Sequence, residues 1–494
     1  MVPVLLVAQG GLGLLALTGA FMPLKWSRRT LVSLCLLGVG VGVTVAVLGV
    51  RGESWRSTEL GDTAVIAGVA SALAWLVASV LAGARARAAS CALVGVASSS
   101  LTVAATSRWA VPVLLFWVCS SLAIAVLAGT GKRPAPVWVA LFLSDACLIA
   151  ALVGHWVDER TWDLPTSLDG WPLYIVLLAA AIRGGAVPAL GVWAALGAAV
   201  PVVPLSIGGA FVLLPVALGP GDPWAGSALF ALAIAGAVWG LLRGRVFVPS
   251  IAAVPVALLL GAAVVSPAGL VAGGLGALLT AAVLALWSPT GEYGGADRSL
   301  ALTALPPWIG FVAVVGAAAA AVEDLAGAED VVDKVPWTLV VILAPAALAA
   351  SVAVAVQAAN TSTGAGGWWP GLRRGDTEAL ALLASRVLLA AGVAGALVPG
   401  EWLGLDSDFA AWDSRRTILF GSALVLGLVA AFLTRRRASA VVEHASPALG
   451  WIAPAPQPGS LPARILLWTS LTLAVVTIGT VGWFTFEGLR LGFL

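Results

Sequence analysis

The chain has 494 residues, 60% hydrophobic and only 10% charged, against roughly 25% charged residues in a soluble globular domain. A mean hydropathy of +1.03 excludes a soluble fold, and a formal net charge of +2 with no basic stripe excludes nucleic acid as a partner. Apolar runs of about 18 to 22 residues, long enough to cross hydrocarbon, recur from end to end. The fold class is therefore an all-α polytopic protein integral to the cytoplasmic membrane, with the lipid bilayer as its surroundings.

In chain order the predicted spans are 3–23, 30–49, 62–83, 89–105, 110–129, 136–154, 172–193, 199–218, 225–242, 247–265, 267–287, 300–321, 336–358, 379–397, 417–433 and 464–486, about sixteen transmembrane helices by this reading. The first run, Val2 to Pro23, lacks a basic stretch before it and a small-residue cleavage site after it, and reads as a retained helix. Glycine is spread along the whole chain, which in membranes means close helix packing more than flexibility. Cys35, Cys91, Cys119 and Cys147 sit inside apolar runs without CxxC or Cys/His spacing, so they are small packing residues and no metal site is expected.

Charge alternates from junction to junction. Those after odd-numbered spans carry Lys25, Arg28 and Arg29; Arg85 and Arg87; Lys132 and Arg133; Arg243 and Arg245; Arg298; Arg373 and Arg374; and Arg435 to Arg437, while Arg464 opens the last span. Junctions after even-numbered spans hold fewer cations, and several are acidic: Asp158 and Glu159, Glu323 to Asp333, and Glu401 to Asp413. The Lys/Arg bias puts both termini outside the cytoplasm.

Two spans are interrupted by helix breakers. The seventh holds Arg183-Gly184-Gly185-Ala186-Val187-Pro188, and the twelfth holds Leu305-Pro306-Pro307-Trp308-Ile309-Gly310-Phe311. Breaks five spans apart predict two five-helix repeats, the second inverted because the offset is odd. The chain then divides into three N-terminal helices (1–83), a first repeat of helices 4 to 8 (84–218), a second of helices 9 to 13 (225–358) and three C-terminal helices (379–494). Inverted repeats with discontinuous helices are the architecture of many ion-coupled transporters. Pro and Gly are also common in membrane helices that transport nothing.

A charge in hydrocarbon costs about 3 kcal/mol by insertion scales, so each one needs a partner or a function. Three candidates for ion translocation follow: Asp145, Arg183 and Arg386. Counted from opposite ends of their spans, Asp145 and Arg183 both fall roughly 13 Å from the cytoplasmic face, which predicts a buried ion pair. Such a pair serves equally as a static pin between two helices, because arginine stays protonated in almost any setting. Arg386 lies near enough to the cytoplasmic side to snorkel. The three lysines, Lys25, Lys132 and Lys334, and the two histidines, His155 and His444, lie near helix ends or in junctions, which leaves no Lys or His at midplane as a proton carrier.

From about residue 85 to 320 these features resemble the antiporter-like membrane subunits L, M and N of respiratory complex I (NADH:quinone oxidoreductase) and the large subunits of Mrp cation/proton antiporters. Four stretches carry the resemblance: Arg85 to Leu127, with Leu115-Phe116-Trp117, Ser120, Ser121 and Leu122; Ala181 to Pro188, with Trp193, Pro201, Pro204 and Ser206 after it; Arg245-Val246-Phe247-Val248-Pro249-Ser250; and Ala304 to Phe311. Within it, Asp145 matches a sixth-helix aspartate and Arg183 takes the place of a seventh-helix lysine. The family's fifth-helix glutamate is replaced by Val118. Its eighth-helix Lys or His falls near Ala210, its eleventh-helix His and Lys within Gly269 to Leu284, and its twelfth-helix lysine at about Val314. The short, proline-rich junction Arg435 to Ala463 cannot form the long lateral helix of the L subunit.

The resemblance implies a membrane subunit of a proton- or cation-translocating complex, with other membrane subunits and protons or monovalent cations as partners, and with most relay groups lost. No catalytic residue and no cofactor is expected in this chain, since nothing in it matches a nicotinamide, flavin or iron–sulfur motif; redox chemistry would belong to partner subunits. One alternative is a non-conducting scaffold for a partner protein. Another is an unrelated membrane transporter or a membrane glycosyltransferase, which would need a paired acidic motif that Glu53, Glu59 and Asp62 of the first external loop do not form.

Overall fold

A computed structural model describes residues 11–12, 28–50, 54–55, 58–59, 61–82, 88–107, 110–129, 135–159, 168, 170–187, 202–217, 221–242, 248–266, 269–287, 308–360, 377–396, 421–422, 425–430 and 432. Among them are thirteen helices: α1 Arg28–Val50, α2 Asp62–Ala82, α3 Ala88–Thr106, α4 Ala110–Gly129, α5 Ala135–Glu159, α6 Trp171–Arg183, α7 Val202–Ala217, α8 Pro223–Leu242, α9 Val248–Val265, α10 Leu270–Trp287, α11 Gly310–Gly327, α12 Val331–Asn360 and α13 Thr377–Ala396. Six of them hold windows long and apolar enough to cross a membrane, and seven more are shorter apolar helices. The chain is a polytopic α-helical membrane protein. Residues 11–12 and 421–432, where described, are helical within the first and fifteenth predicted spans, and 464–486 lies outside the described residues.

In a bilayer no water competes for the backbone, so each apolar run closes its own hydrogen bonds as a helix. Large hydrophobic side chains face outward, as lipid-facing positions require: Leu36, Leu37, Phe142, Tyr174 and Ile342 are exposed on their helices. Two corrections follow from the structure. The acidic stretch Glu323 to Asp333 is not a loop, since α11 continues to Gly327 and α12 begins at Val331, leaving residues 328–330 to link them. Of its exposed carboxylates, Glu323, Asp324 and Asp333 ride on helix ends and Glu329 and Asp330 on the link, and α12, at 30 residues and about 45 Å, is longer than a hydrocarbon core of about 30 Å. The segment between α1 and α2 holds a short hairpin, β1 Ser54–Trp55 antiparallel to β2 Thr58–Glu59, with Ser54 opposite Glu59 and Trp55 opposite Thr58. It is the one departure from all-α among the described residues.

The helices gather into two compact units, α1 to α7 in one and α8 to α13 in the other. In the first unit α1 packs on α2, α3 on α4, and α5 on α6. The α1 and α2 backbones touch, because a Cβ on Gly42 would sit 2.7 Å from Ala72 N and one on Gly68 would sit 2.6 Å from Ala46 N. Dispersion and small residues, not hydrophobic exclusion, hold such helices together in lipid. The buried Cys35 and Cys91 thiols meet 3.8 Å apart between α1 and α3, without a disulfide. In the second unit α8 packs on α9 and α12, α10 on α13, and α11 on α9, α10 and α12.

Candidate functional site

The first unit contains a charged cluster where α6 ends. α6 stops at Arg183 because Gly184 and Gly185 follow, and Gly185 takes φ 71°, a left-handed conformation that glycine adopts without penalty. The last carbonyls of a helix have no intrahelical N–H. At Arg183 the Ser206 hydroxyl of α7 donates to that carbonyl at 2.6 Å. Beside it, the Ser144 hydroxyl of α5 donates to Ala179 O at 2.9 Å and so ties α5 to α6.

The Arg183 side chain is fully buried and Asp145 nearly so, with side-chain exposures of 0% and 8%. Arg183 Nη1 lies 3.4 Å from Asp145 Oδ1, which is a long contact for an ion pair. Between them stands Ser121. Arg183 Nη1 donates to the Ser121 hydroxyl, which in turn donates to Asp145 Oδ1 at 2.7 Å. The other terminal nitrogen, Nη2, donates to Ser120 Oγ at 3.1 Å. The guanidinium lies over the Trp117 ring, 3.9 Å from Cζ to the ring centroid, an attractive cation–π arrangement in a buried place. Gly209 of α7 backs the remaining nitrogen: a Cβ there would come 2.7 Å from Arg183 Nε and 3.2 Å from Trp117. Arg183 Nε and Trp117 Nε1 are buried without a hydrogen-bond partner.

Four helices thus build the site, with Trp117, Ser120 and Ser121 from α4, Asp145 from α5, Arg183 from α6, and Ser206 and Gly209 from α7. Trp117 and Ser121 are four residues apart and share a helix face, as do Ser206 and Gly209 at a separation of three. The structure brings together Asp145 and Arg183 of the sequence candidates. Arg386 is half-buried on α13 in the second unit, next to buried Ser385. Gly184 and Gly185 form the turn after α6 and Gly310 opens α11, while Pro188, Pro306 and Pro307 lie outside the described residues. Ala210 and Val314, where the resemblance would place cations, are fully buried alkyl side chains. The bridging role of Ser121, the ring beneath Arg183 and the clearance at Gly209 were not foreseen from sequence.

No sequence-family model matches the chain, and no curated protein sequence is significantly similar to it. Solved structures do share its fold. It superposes on a chain of the Mrp complex from Dietzia sp. with a TM-score of 0.64 at 12% identity, over 98% of its own length and 60% of that chain. Against a chain of respiratory complex I from Thermus thermophilus with bound aureothin, the TM-score is 0.57 at 19% identity, covering 81% of this chain and 98% of the other. Against a chain of the membrane-bound sulfane sulfur reductase, an archaeal respiratory membrane complex, it is 0.60 at 14%, covering 99% and 95%. The protein is therefore of the class of polytopic membrane proteins with the fold found in these three complexes. The chain spans about three fifths of the Mrp chain and nearly all of the other two, and the resemblance read from four stretches of the sequence is met at the level of fold.

Proposed function

We propose that the protein is a membrane subunit of a proton- or cation-translocating complex, resembling the antiporter-like subunits of complex I and Mrp antiporters, with the Asp145 and Arg183 pair as its ionisable centre. One observation carries this reading. A fully buried arginine ends the helix before a Gly-Gly break and faces a buried aspartate across a hydroxyl, in a chain whose fold recurs in three multisubunit membrane complexes. Ionisable groups in membrane spans almost always face the interior, and substrate and ion pathways and proton relays are among their uses. Among the described residues Asp145 and Arg183 form a buried charged pair where the resemblance would place a row of cations, so the relay is reduced, and the other groups of a conducting path belong to partner subunits. The sixteen-span count, the inverted repeats and the termini outside the cytoplasm belong to the same reading.

Assembly is tested by extraction from the native membrane in mild detergent. Co-purification of further membrane subunits in fixed ratio is expected, and a chain that emerges alone contradicts the proposal. A second reading, a non-conducting scaffold within the same assembly, is favoured by the alkyl side chains at Ala210 and Val314. It predicts the same co-purification with no ion flux attributable to the pair.

A further inference from the structure

Arg183 is held by more than its carboxylate. Its two terminal nitrogens donate to Ser121 and Ser120, its plane lies on Trp117, Gly209 leaves just the room that Nε needs, and Ser206 holds its backbone carbonyl. Its direct contact with Asp145, at 3.4 Å, is the longest of these polar contacts. A guanidinium matches such a site in ways an ammonium does not, since it is planar, stacks on aromatic faces, donates in a rigid fork and is weakly hydrated. The contacts to Ser120 and Trp117 also do not depend on the charge of Asp145. Even the Ser121 hydroxyl accepts from Arg183 through a lone pair and needs no anion behind it to do so.

We propose that Trp117, Ser120, Ser121 and Gly209 form a receptor for a planar guanidinium. The receptor holds Arg183 as a fixed counter-charge whether or not Asp145 is ionised, and leaves Asp145 as the member of the pair that exchanges a proton or cation. The receptor stands on geometry alone, while the role given to Asp145 rests on the function proposed above. Trp117, Ser120, Ser121 and Gly209 are positioning residues, acting through Arg183.

The test uses the full chain in lipid nanodiscs and reads the unfolding midpoint. Asp145→Asn is expected to lower it less than Arg183→Lys, and less than the double variant Ser120→Ala/Ser121→Ala. Ser121→Thr, which keeps the hydroxyl, is expected to stay near the parent, while Ser121→Val falls. Arg183→Gly is expected to regain part of its lost midpoint in low-millimolar guanidinium chloride and none in ammonium chloride at the same concentration. A loss in Asp145→Asn as large as in Arg183→Lys, or equal effects of the two salts, overturns the proposal, because the arginine would then be held by charge and not by shape. Should Arg183→Gly fail to fold, the order of Asp145→Asn, Arg183→Lys and the double serine variant decides by itself. If that order holds but no ion flux depends on Asp145, the receptor stands and the transport reading falls.

Discussion

The two places where the sequence predicts interrupted spans are built, among the described residues, to opposite plans. At the first, α6 ends in a fully buried arginine among hydroxyls, an indole and a carboxylate. At the second, Trp308 and Ile309 precede α11 and are both buried, with Leu275, Leu279 and Val312 packed around Ile309. Here the freed backbone is satisfied by a neighbouring helix, as Ile309 N donates to Gly392 O of α13 at 3.1 Å. A break in a membrane helix must find partners for its exposed peptide groups, and either a side-chain hydroxyl or another helix's carbonyl will serve. What separates the two is what the described residues place there: a charge at the end of α6, and the buried Trp308 and Ile309 before α11. An interrupted helix is therefore not in itself a sign of transport, and the residue placed at the interruption carries the argument.

The sharpest way to break this comparison is Arg183→Ala. It leaves Asp145 buried without its cation, and removing one partner of a buried pair is expected to cost about 3–5 kcal/mol, read by reversible unfolding in bicelles. If the stranded carboxylate is the cause, adding Asp145→Leu recovers part of that loss; if the first break were merely packed, it recovers none. Trp308→Ala makes the converse test and is expected to cost about 3 kcal/mol through lost packing alone, with no change in ion selectivity or flux. Any effect of this variant on transport beyond reduced yield would mean that the apolar break is also part of the path. Gly68→Val touches neither break but pushes into the α1 backbone at Ala46 N, and about 2 kcal/mol is expected from overpacking. It calibrates how much instability the assay tolerates before function is lost for trivial reasons. Ser206→Ala has the smallest expected effect, about 1 kcal/mol, from the Arg183 carbonyl left without its donor; a neutral result would show that the turn at Gly184 and Gly185 satisfies that carbonyl by itself.

Much of the fold could be read from hydropathy. The runs at 62–83 and 110–129 meet α2 Asp62–Ala82 and α4 Ala110–Gly129 almost residue for residue, since charges and turn residues bound the apolar stretches on both sides. α12 is longer than its predicted 336–358 because a helix continues past the hydrocarbon with Asp333 and Lys334 in its first turns, and hydropathy reports the lipid and not the helix. The hairpin at Ser54 to Glu59 lies in a polar loop too short to carry a strand pattern.

For the site, Asp145 and Arg183 were legible because charges are rare in hydrocarbon and their depths agree. Ser121 and Gly209 were not, since serine and glycine occur throughout membrane helices for packing alone, and their roles emerge only when α4 and α7 close around α6.

The most direct test of the central claim is proton and sodium flux in proteoliposomes containing the protein with whatever subunits co-purify, compared with the same preparation carrying Asp145→Asn. Flux is expected in the parent and its loss in the variant, at unchanged assembly and with a smaller fall in unfolding midpoint than Arg183→Lys shows. Equal flux in both, or none in either, would contradict it and make the Arg183 and Asp145 pair a structural pin.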